Sequence, residues 1–90
     1  MKVSNEFILR EVAGEYILVP VGAAAVKLNG LITLNEIGAF IFKVLQKEQT
    51  EESVVKKILE EYEIDFETAT EDLKAFLQQM REIGVLVENA

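Results

Sequence analysis

The side chains of this chain that could do chemistry are carboxylates, lysines, hydroxyls and two tyrosines, and the carboxylates occur in pairs. Adjacent acidic residues occur as Glu51 with Glu52, Glu60 with Glu61, and Glu71 with Asp72. Paired carboxylates can serve as general acid and base. Adjacent positions on a helix do not face each other, however, and none of these pairs lies in a glycine-rich context that would shape a site. They are typical of a solvated helix surface, so the sequence does not predict an enzyme.

The composition limits other catalytic and metal-binding chemistry. The 90 residues include no cysteine, histidine or tryptophan. This excludes disulfides, thiolate or imidazole metal ligands, and Cys or His nucleophiles and bases. The sequence also lacks a glycine-rich phosphate-binding loop. We therefore expect no catalytic residue, no metal and no cofactor.

Charge is divided unevenly along the chain. Residues 1–47 contain five Lys or Arg and four Asp or Glu, a net +1, whereas residues 48–90 contain four and twelve, a net −8. Duplex nucleic acid is bound mainly through its phosphates, so this balance argues against a nucleic-acid partner. The first residues lack the apolar run of a signal peptide, and no segment approaches the roughly 20 apolar residues of a membrane span. A cytoplasmic protein without a membrane partner is the expectation.

The amino-terminal third is predicted to form an antiparallel meander of three strands, or of three strands with a short fourth piece. Residues 7–13 and 16–21 are rich in β-forming residues and predict a hairpin that turns at Gly14 and Glu15. Residues 22–25 have little strand character and indicate a loop or a bulge. Asn29 and Gly30 then predict a second turn between strand residues 26–28 and 31–33, because this pair accommodates the positive φ angles of a type I′ turn.

Residues 30–38 predict a short strand that runs directly into a helix. Thr33 and Glu36 have the spacing of a capping box, and Asn35 is an alternative N-cap. Apolar residues at helical spacing follow, with Gly38 as a predicted point of close approach by another backbone. The period of the hydrophobic pattern therefore changes from strand to helix within this segment.

Two further helices complete the prediction. They begin after the N-caps Thr50 and Asp65, and Gly84 lies where a C-terminal left-handed residue belongs. The short apolar run 85–87 is predicted to fold back on the sheet or on the core. Strands followed by helices, without alternation, predict one α+β domain over residues 1–90, with the meander followed by a three-helix bundle.

The third predicted helix carries bases on one side of its apolar stripe. At about 100° per residue, Leu77 is followed outward by Thr70, Arg81 and Lys74. The opposite flank carries Asp72, Gln79 and Ile83. One interpretation of this pattern is the ordinary solvent-exposed surface of an amphipathic helix. The functional hypothesis is a basic rim beside a groove that suits an acidic and apolar peptide.

Three segments together carry a family resemblance. They are residues 15–20 (EYILVP), 34–45 (LNEIGAFIFKVL), and 72–77 (DLKAFL) with the ending IGVL at 83–86. In this combination the chain resembles the PqqD family, peptide chaperones named for pyrroloquinoline quinone synthesis, whose domain recurs as the recognition element of many ribosomal peptide modification systems. The likeness covers nearly the whole chain. Residues 23–29 are longer than the direct turn of pyrroloquinoline quinone pathway members, and that pathway is not implied.

This resemblance implies a winged-helix-like domain that acts as a non-catalytic adaptor. In the family, the leader of a precursor peptide adds as a strand to the third strand and lies against the third helix. The domain delivers the precursor to a modifying enzyme, often a radical S-adenosylmethionine enzyme. By position, the implied peptide-binding residues are Gly30, Leu31, Ile32, Thr33, Leu34, Leu73, Lys74, Leu77 and Arg81.

The predicted third strand supports such a role. Leu31, Ile32 and Thr33 carry neither the charge nor the proline that normally protects a sheet edge, and strand addition supplies backbone hydrogen bonds to a peptide. Ordering a flexible leader costs free energy, so a dissociation constant on the order of micromolar is expected. The alternatives are a winged-helix DNA-binding or protein-interaction module, and an edge occupied by residues 85–87 or by a second protomer. A monomer or weak dimer is the expected state.

Overall fold

The computed structural model describes residues 1–27 and 31–88. Its elements, in chain order, are β1 (Lys2–Val3), β2 (Phe7–Val12), β3 (Glu15–Pro20), α1 (Ala23–Lys27), β4 (Ile32–Leu34), α2 (Glu36–Val44), α3 (Glu51–Glu61), α4 (Phe66–Glu82) and β5 (Leu86–Val87). Strands β2, β3 and β4 form an antiparallel sheet in that order. The predicted α+β arrangement, with a three-stranded sheet followed by helices, is confirmed.

The β2–β3 hairpin turns one residue earlier than predicted. Ala13 and Gly14 both have positive φ, 53° and 81°, as the two central residues of a type I′ turn require. Glu15, predicted to lie in the turn, instead pairs with Val12 as the first residue of β3.

The connection from β3 to β4 also differs from the prediction. Val26 and Lys27 belong to helix α1 and not to a strand. The alanines that begin this helix favour helix over strand, and Ala24 is buried in the core. The expected loop or bulge is therefore helical from Ala23 onward, and the turn predicted at residues 29–30 lies outside the described residues.

Asn35 joins β4 to α2. Its side-chain Oδ1 accepts a hydrogen bond from the Gly38 N–H at 2.7 Å, which makes Asn35 the N-cap. The predicted capping box of Thr33 with Glu36 is wrong, because Thr33 lies within β4 opposite Ile17. The alternative cap is the one that forms.

Helices α3 and α4 begin at their predicted caps. The Thr50 Oγ1 accepts from the Ser53 N–H, and the Ser53 Oγ accepts from the Thr50 N–H, each at 3.0 Å. At the start of α4, the Asp65 Oδ1 accepts from the Thr68 N–H at 2.7 Å. Local side-chain chemistry thus fixes both starting points.

Helix α4 ends in a Schellman motif, with Gly84 as the predicted left-handed residue at φ 77°. The Val85 N–H donates to the Met80 carbonyl at 2.9 Å, and the Gly84 N–H donates to the Arg81 carbonyl at 3.2 Å. These are the two hydrogen bonds that define the motif. The turn directs Val85 into the core, where it is fully buried.

The two terminal segments form a second, smaller sheet. Strands β1 and β5 pair antiparallel, with Lys2 opposite Val87. The Ser4 N–H extends this contact by donating to the Val85 carbonyl at 2.7 Å. The run 85–87 therefore folds back on the amino-terminal segment, and its predicted alternative placement on the edge of β4 is wrong.

The core is apolar and lies between the three-stranded sheet and helices α2 to α4. Its largest fully buried side chains are Phe42, Leu18, Ile41, Leu45, Ile58, Leu73, Leu77, Met80, Val54 and Val85. No polar or charged residue is buried within the described part of the chain, so hydrophobic burial is the main source of stability. In the same residues, no helix combines the length and apolarity needed to cross a membrane.

Removal of the Asn35 acceptor should lower the free energy of unfolding by about 1 kcal/mol, because the Gly38 N–H loses its partner. We expect this loss for Asn35→Ala and much less for Asn35→Asp, measured by urea denaturation followed by circular dichroism. Thr33→Val is the control, since it keeps a β-branched strand residue and removes the other candidate hydroxyl. An equal loss from Thr33→Val and Asn35→Ala would contradict this assignment of the cap.

Substitution of Gly84 tests the turn that ends α4. Gly84→Ala should cost about 1–2 kcal/mol, because alanine disfavours a positive φ. No atom of the described residues lies within 4 Å of the Cβ that alanine would add, so the loss is conformational. Gly84→Asn should lose less, because asparagine tolerates this region better. Thermal unfolding of the three proteins provides the measurement, and an alanine variant as stable as the wild type would refute the prediction.

Candidate functional site

The three-stranded sheet has one edge suited to pairing with a further strand. One edge is β2, which carries the charged residues Arg10 and Glu11, and charge opposes edge-to-edge pairing. The other is β4, whose Ile32, Thr33 and Leu34 are uncharged. Within residues 1–27 and 31–88, no strand pairs with the outer side of β4.

A groove of about 230 Å³ lies between β4 and α4. Its buried and half-buried apolar residues are Leu34, Ile37, Gly38 and Phe76. The half-buried Asp72 and the exposed Thr33, Asn35, Ala75 and Gln79 complete the lining. The groove thus combines an apolar floor with a mainly uncharged polar rim, in which Asp72 supplies the negative charge.

Gly38 allows α2 and α4 to approach each other at the inner end of the groove. A Cβ at this position would lie 3.0 Å from the Asn35 Oδ1 and 3.6 Å from both Leu34 Cβ and Phe76 Cδ2. The close approach predicted at Gly38 is therefore made by side chains and not by another backbone. A larger residue here would meet the capping oxygen on one side and the aromatic ring on the other.

The predicted strand residues fall partly in this site. Ile32, Thr33 and Leu34 form β4, and Leu31 precedes it with 64% of its surface exposed. Gly30 lies outside the described residues. The strand half of the predicted binding site thus corresponds to the edge that borders the groove.

The predicted flank of α4 does not line the groove. Leu73 and Leu77 are buried in the core, and Lys74 is exposed but lies outside the groove lining. The opposite flank, with Asp72 and Gln79, faces β4 instead. An amphipathic pattern defines both flanks of a helix but does not say which one meets the sheet, so the sequence held no signal that could have chosen between them.

Arg81 is the last of the four α4 residues predicted to bind the peptide, and it forms an ion pair with Glu88. Its Nη2 donates to the Glu88 Oε1 at 2.8 Å, and its Nε lies 3.2 Å from the Oε2 of the same carboxylate. The hydrogen bond from Arg81 lowers the pKa of Glu88, and the bond to Glu88 raises the pKa of Arg81. Both side chains border a different depression, beside Met1 and Thr50.

A family model for coenzyme PQQ synthesis protein D (PqqD) matches residues 8–86. The chain belongs to the PqqD family. The resemblance that the sequence carries is thus confirmed over most of its length. No curated protein matches this PqqD-family chain.

Two solved structures share the fold of this PqqD-family domain. TbiB1 in complex with the TbiA(beta) leader peptide has a TM-score of 0.75 and 24% sequence identity, covering 100% of this chain and 99% of that chain. Lasso peptide synthetase B1 complexed with the leader peptide has a TM-score of 0.72 and 20% identity, covering 97% and 96%. At these identities the likeness establishes the fold.

The pairing of Arg81 with Glu88 in this PqqD-family domain predicts an acid-sensitive contact. Glu88 should titrate below its ordinary pKa of 4.5, because the guanidinium favours the ionised carboxyl. Its contribution to stability is present above the unfolded-state pKa and is lost as pH falls through the lower folded-state pKa. In an NMR titration, Arg81→Gln should return the Glu88 pKa toward its ordinary value, while Lys74→Gln leaves it in place. The same pKa in wild type and Arg81→Gln would contradict the pairing.

Proposed function

We propose that this protein is a non-catalytic adaptor that binds the leader of a ribosomally made precursor peptide and presents it to a modifying enzyme. The observation that carries the proposal is the uncharged edge of β4, which no strand of the described residues pairs, beside an apolar groove in a PqqD-family domain. Both solved structures of the same fold contain a bound leader peptide, which supports the same role here.

The leader adds to β4 as a further antiparallel or parallel strand. Backbone N–H and C=O groups on the outer side of Ile32–Leu34 pair with the leader and supply affinity that does not depend on its sequence. Side chains alternate along a strand, so one set of leader residues points toward the groove. Apolar residues in that set contact Ile37 and Phe76, and this contact gives selectivity.

The groove changes the chemical character expected of the leader. A rim formed by Lys74 and Arg81 would favour an acidic peptide, whereas the actual rim is polar with the carboxylate of Asp72. We therefore expect a leader segment with apolar residues directed into the groove and a hydrogen-bonding or basic group near Asp72. Opposite charges are favoured across such a contact.

The chemical groups of the groove suit binding. They are one carboxylate, one hydroxyl and two side-chain amides, and the Asn35 amide already caps α2. Covalent catalysis needs a nucleophile activated by an adjacent base, and this set has no such arrangement. The chemistry is therefore assigned to a partner, with a radical S-adenosylmethionine enzyme as the class that the family frequently serves. The adaptor would act in the cytoplasm, where ribosomes make the precursor.

The competing hypothesis is a DNA-binding winged helix with α4 as the recognition helix. Such a helix needs bases directed at phosphates and base edges. The groove flank of α4 presents Asp72, and Arg81 is paired with Glu88. The structure supplies no observation that favours this alternative. Binding to duplex DNA that weakens steeply as the salt concentration rises would support the DNA-binding hypothesis.

A matched pair of tyrosine substitutions distinguishes the two flanks of α4. Ala75 and Lys74 are both exposed, but Ala75 lines the groove and Lys74 does not. Ala75→Tyr should fill the groove and weaken leader binding by about tenfold or more, whereas Lys74→Tyr should change it by less than about twofold. Isothermal titration with synthetic leaders of precursors encoded nearby measures both, with a wild-type dissociation constant on the order of micromolar.

Backbone NMR of the same titration tests the strand addition. Shift changes should concentrate in residues 31–34 and in the part of α4 between Asp72 and Gln79. No change in either region on adding the leader would refute the proposal. A larger loss from Lys74→Tyr than from Ala75→Tyr would instead restore the basic flank as the binding surface.

A further inference from the structure

A second surface cleft, of about 560 Å³, lies between α3 and α4 on the side away from β4. Three apolar residues form it, Val55 and Leu59 from α3 and Phe66 from α4. Glu51, Glu52, Lys56, Glu60 and Thr70 complete the lining. None of these residues lines the leader groove.

Two of the three apolar residues of this cleft are exposed to solvent. Phe66 has 66% of its surface exposed and Leu59 has 36%, while Val55 is buried at the base. Phe66 is the first residue of α4, a position that needs no aromatic side chain because Asp65 already caps the helix. Adjacent exposed apolar residues with a polar rim are a feature of interaction sites.

The rim of the cleft indicates the chemistry of its partner. Glu51, Glu52 and Glu60 supply three carboxylates against the single ammonium of Lys56. A partner segment with Lys or Arg beside its apolar side chains would complement this charge. A second copy of this chain would bring the same acidic rim to a symmetric contact, where like charges would meet.

The cleft and the leader groove can be occupied together, because they lie on opposite flanks of α4. Thr70 lines the cleft and Asp72 lines the groove. At 100° per residue these two positions point about 160° apart around the helix. The core stripe of α4 lies between them, with Leu73 and Leu77 fully buried. An adaptor that holds a leader while contacting an enzyme needs two such separate surfaces.

We infer that the α3–α4 cleft docks the modifying enzyme, through a segment in which apolar side chains are flanked by Lys or Arg. This inference rests on the proposed function and adds the surface that joins adaptor to enzyme. Phe66 and Leu59 provide the apolar contact, and Glu52 and Glu60 orient the segment by charge. The leader remains in its own groove while the enzyme is bound.

The test measures two affinities for each variant. The probes are the synthetic leader and the purified modifying enzyme encoded beside the precursor gene, the latter added to the adaptor–leader complex. Phe66→Ala, and the double variant Glu52→Lys with Glu60→Lys, should weaken enzyme binding by about tenfold or more. Leader affinity should stay within about twofold of wild type. The double variant Glu71→Lys with Glu82→Lys is the matched control, because it makes the same charge change at two exposed positions of α4 outside both sites.

Each result decides a separate point. Unchanged enzyme binding in Phe66→Ala and in the double charge variant overturns the inference, with circular dichroism confirming that both variants are folded. A wild-type dimer that Phe66→Ala dissociates would assign the cleft to a second copy and also overturn it. If wild type binds the leader but not the enzyme, the docking inference fails and leader binding stands. If wild type binds neither, the proposed function itself fails.

Discussion

The hydrogen bond from the Gly38 N–H to the Asn35 side chain fixes the point where β4 ends and α2 begins. The rest of the candidate site depends on this junction. The cap follows directly on Leu34, the last residue of β4, and the missing side chain at Gly38 leaves room for both the capping oxygen and the ring of Phe76. The same local geometry therefore sets the helix start, the spacing of α2 from α4 and the shape of the groove.

Helix α4 connects this junction to the rest of the domain. Its stripe of buried residues fills the core, and any rotation of the helix would carry charged neighbours into an apolar interior, which is costly. Because the core fixes the rotation of the helix, it also fixes what each flank meets. Asp72 and Gln79 border β4, and Thr70 borders α3. Packing in the interior thus determines two separate surfaces on one helix.

The sequence predicted the features that depend on local chemistry. The caps Thr50 and Asp65, the left-handed residue Gly84 and the three-stranded sheet are confirmed, because each follows from side-chain types within a few residues of one another. The start of α2 is different, since Thr33 and Asn35 are both good caps. Pairing of Thr33 with Ile17, a contact across the sheet, decides between them.

Features set by distant contacts could not be predicted in the same way. The two flanks of α4 are equivalent in the amphipathic pattern, and tertiary packing against β4 determines which flank meets the sheet. The run 85–87 is apolar enough to pack in several places. Its position follows from the Schellman turn at Gly84, which directs it toward β1. The prediction of Lys74 and Arg81 rests on their shared side of the helix and on their positions in the family resemblance, and neither criterion contains the contact of α4 with β4.

The pairing of β1 with β5 has a consequence for how such a domain can be combined with other polypeptides. Lys2 and Val87 are direct partners in this small sheet, so their Cα atoms are about 5 Å apart. A chain attached before β1 and one attached after β5 would leave from the same place, and neither strand contributes to the leader groove. The domain could therefore be inserted into a longer protein without distortion of the groove. The length of the tether would then set the local concentration of captured peptide around the enzyme.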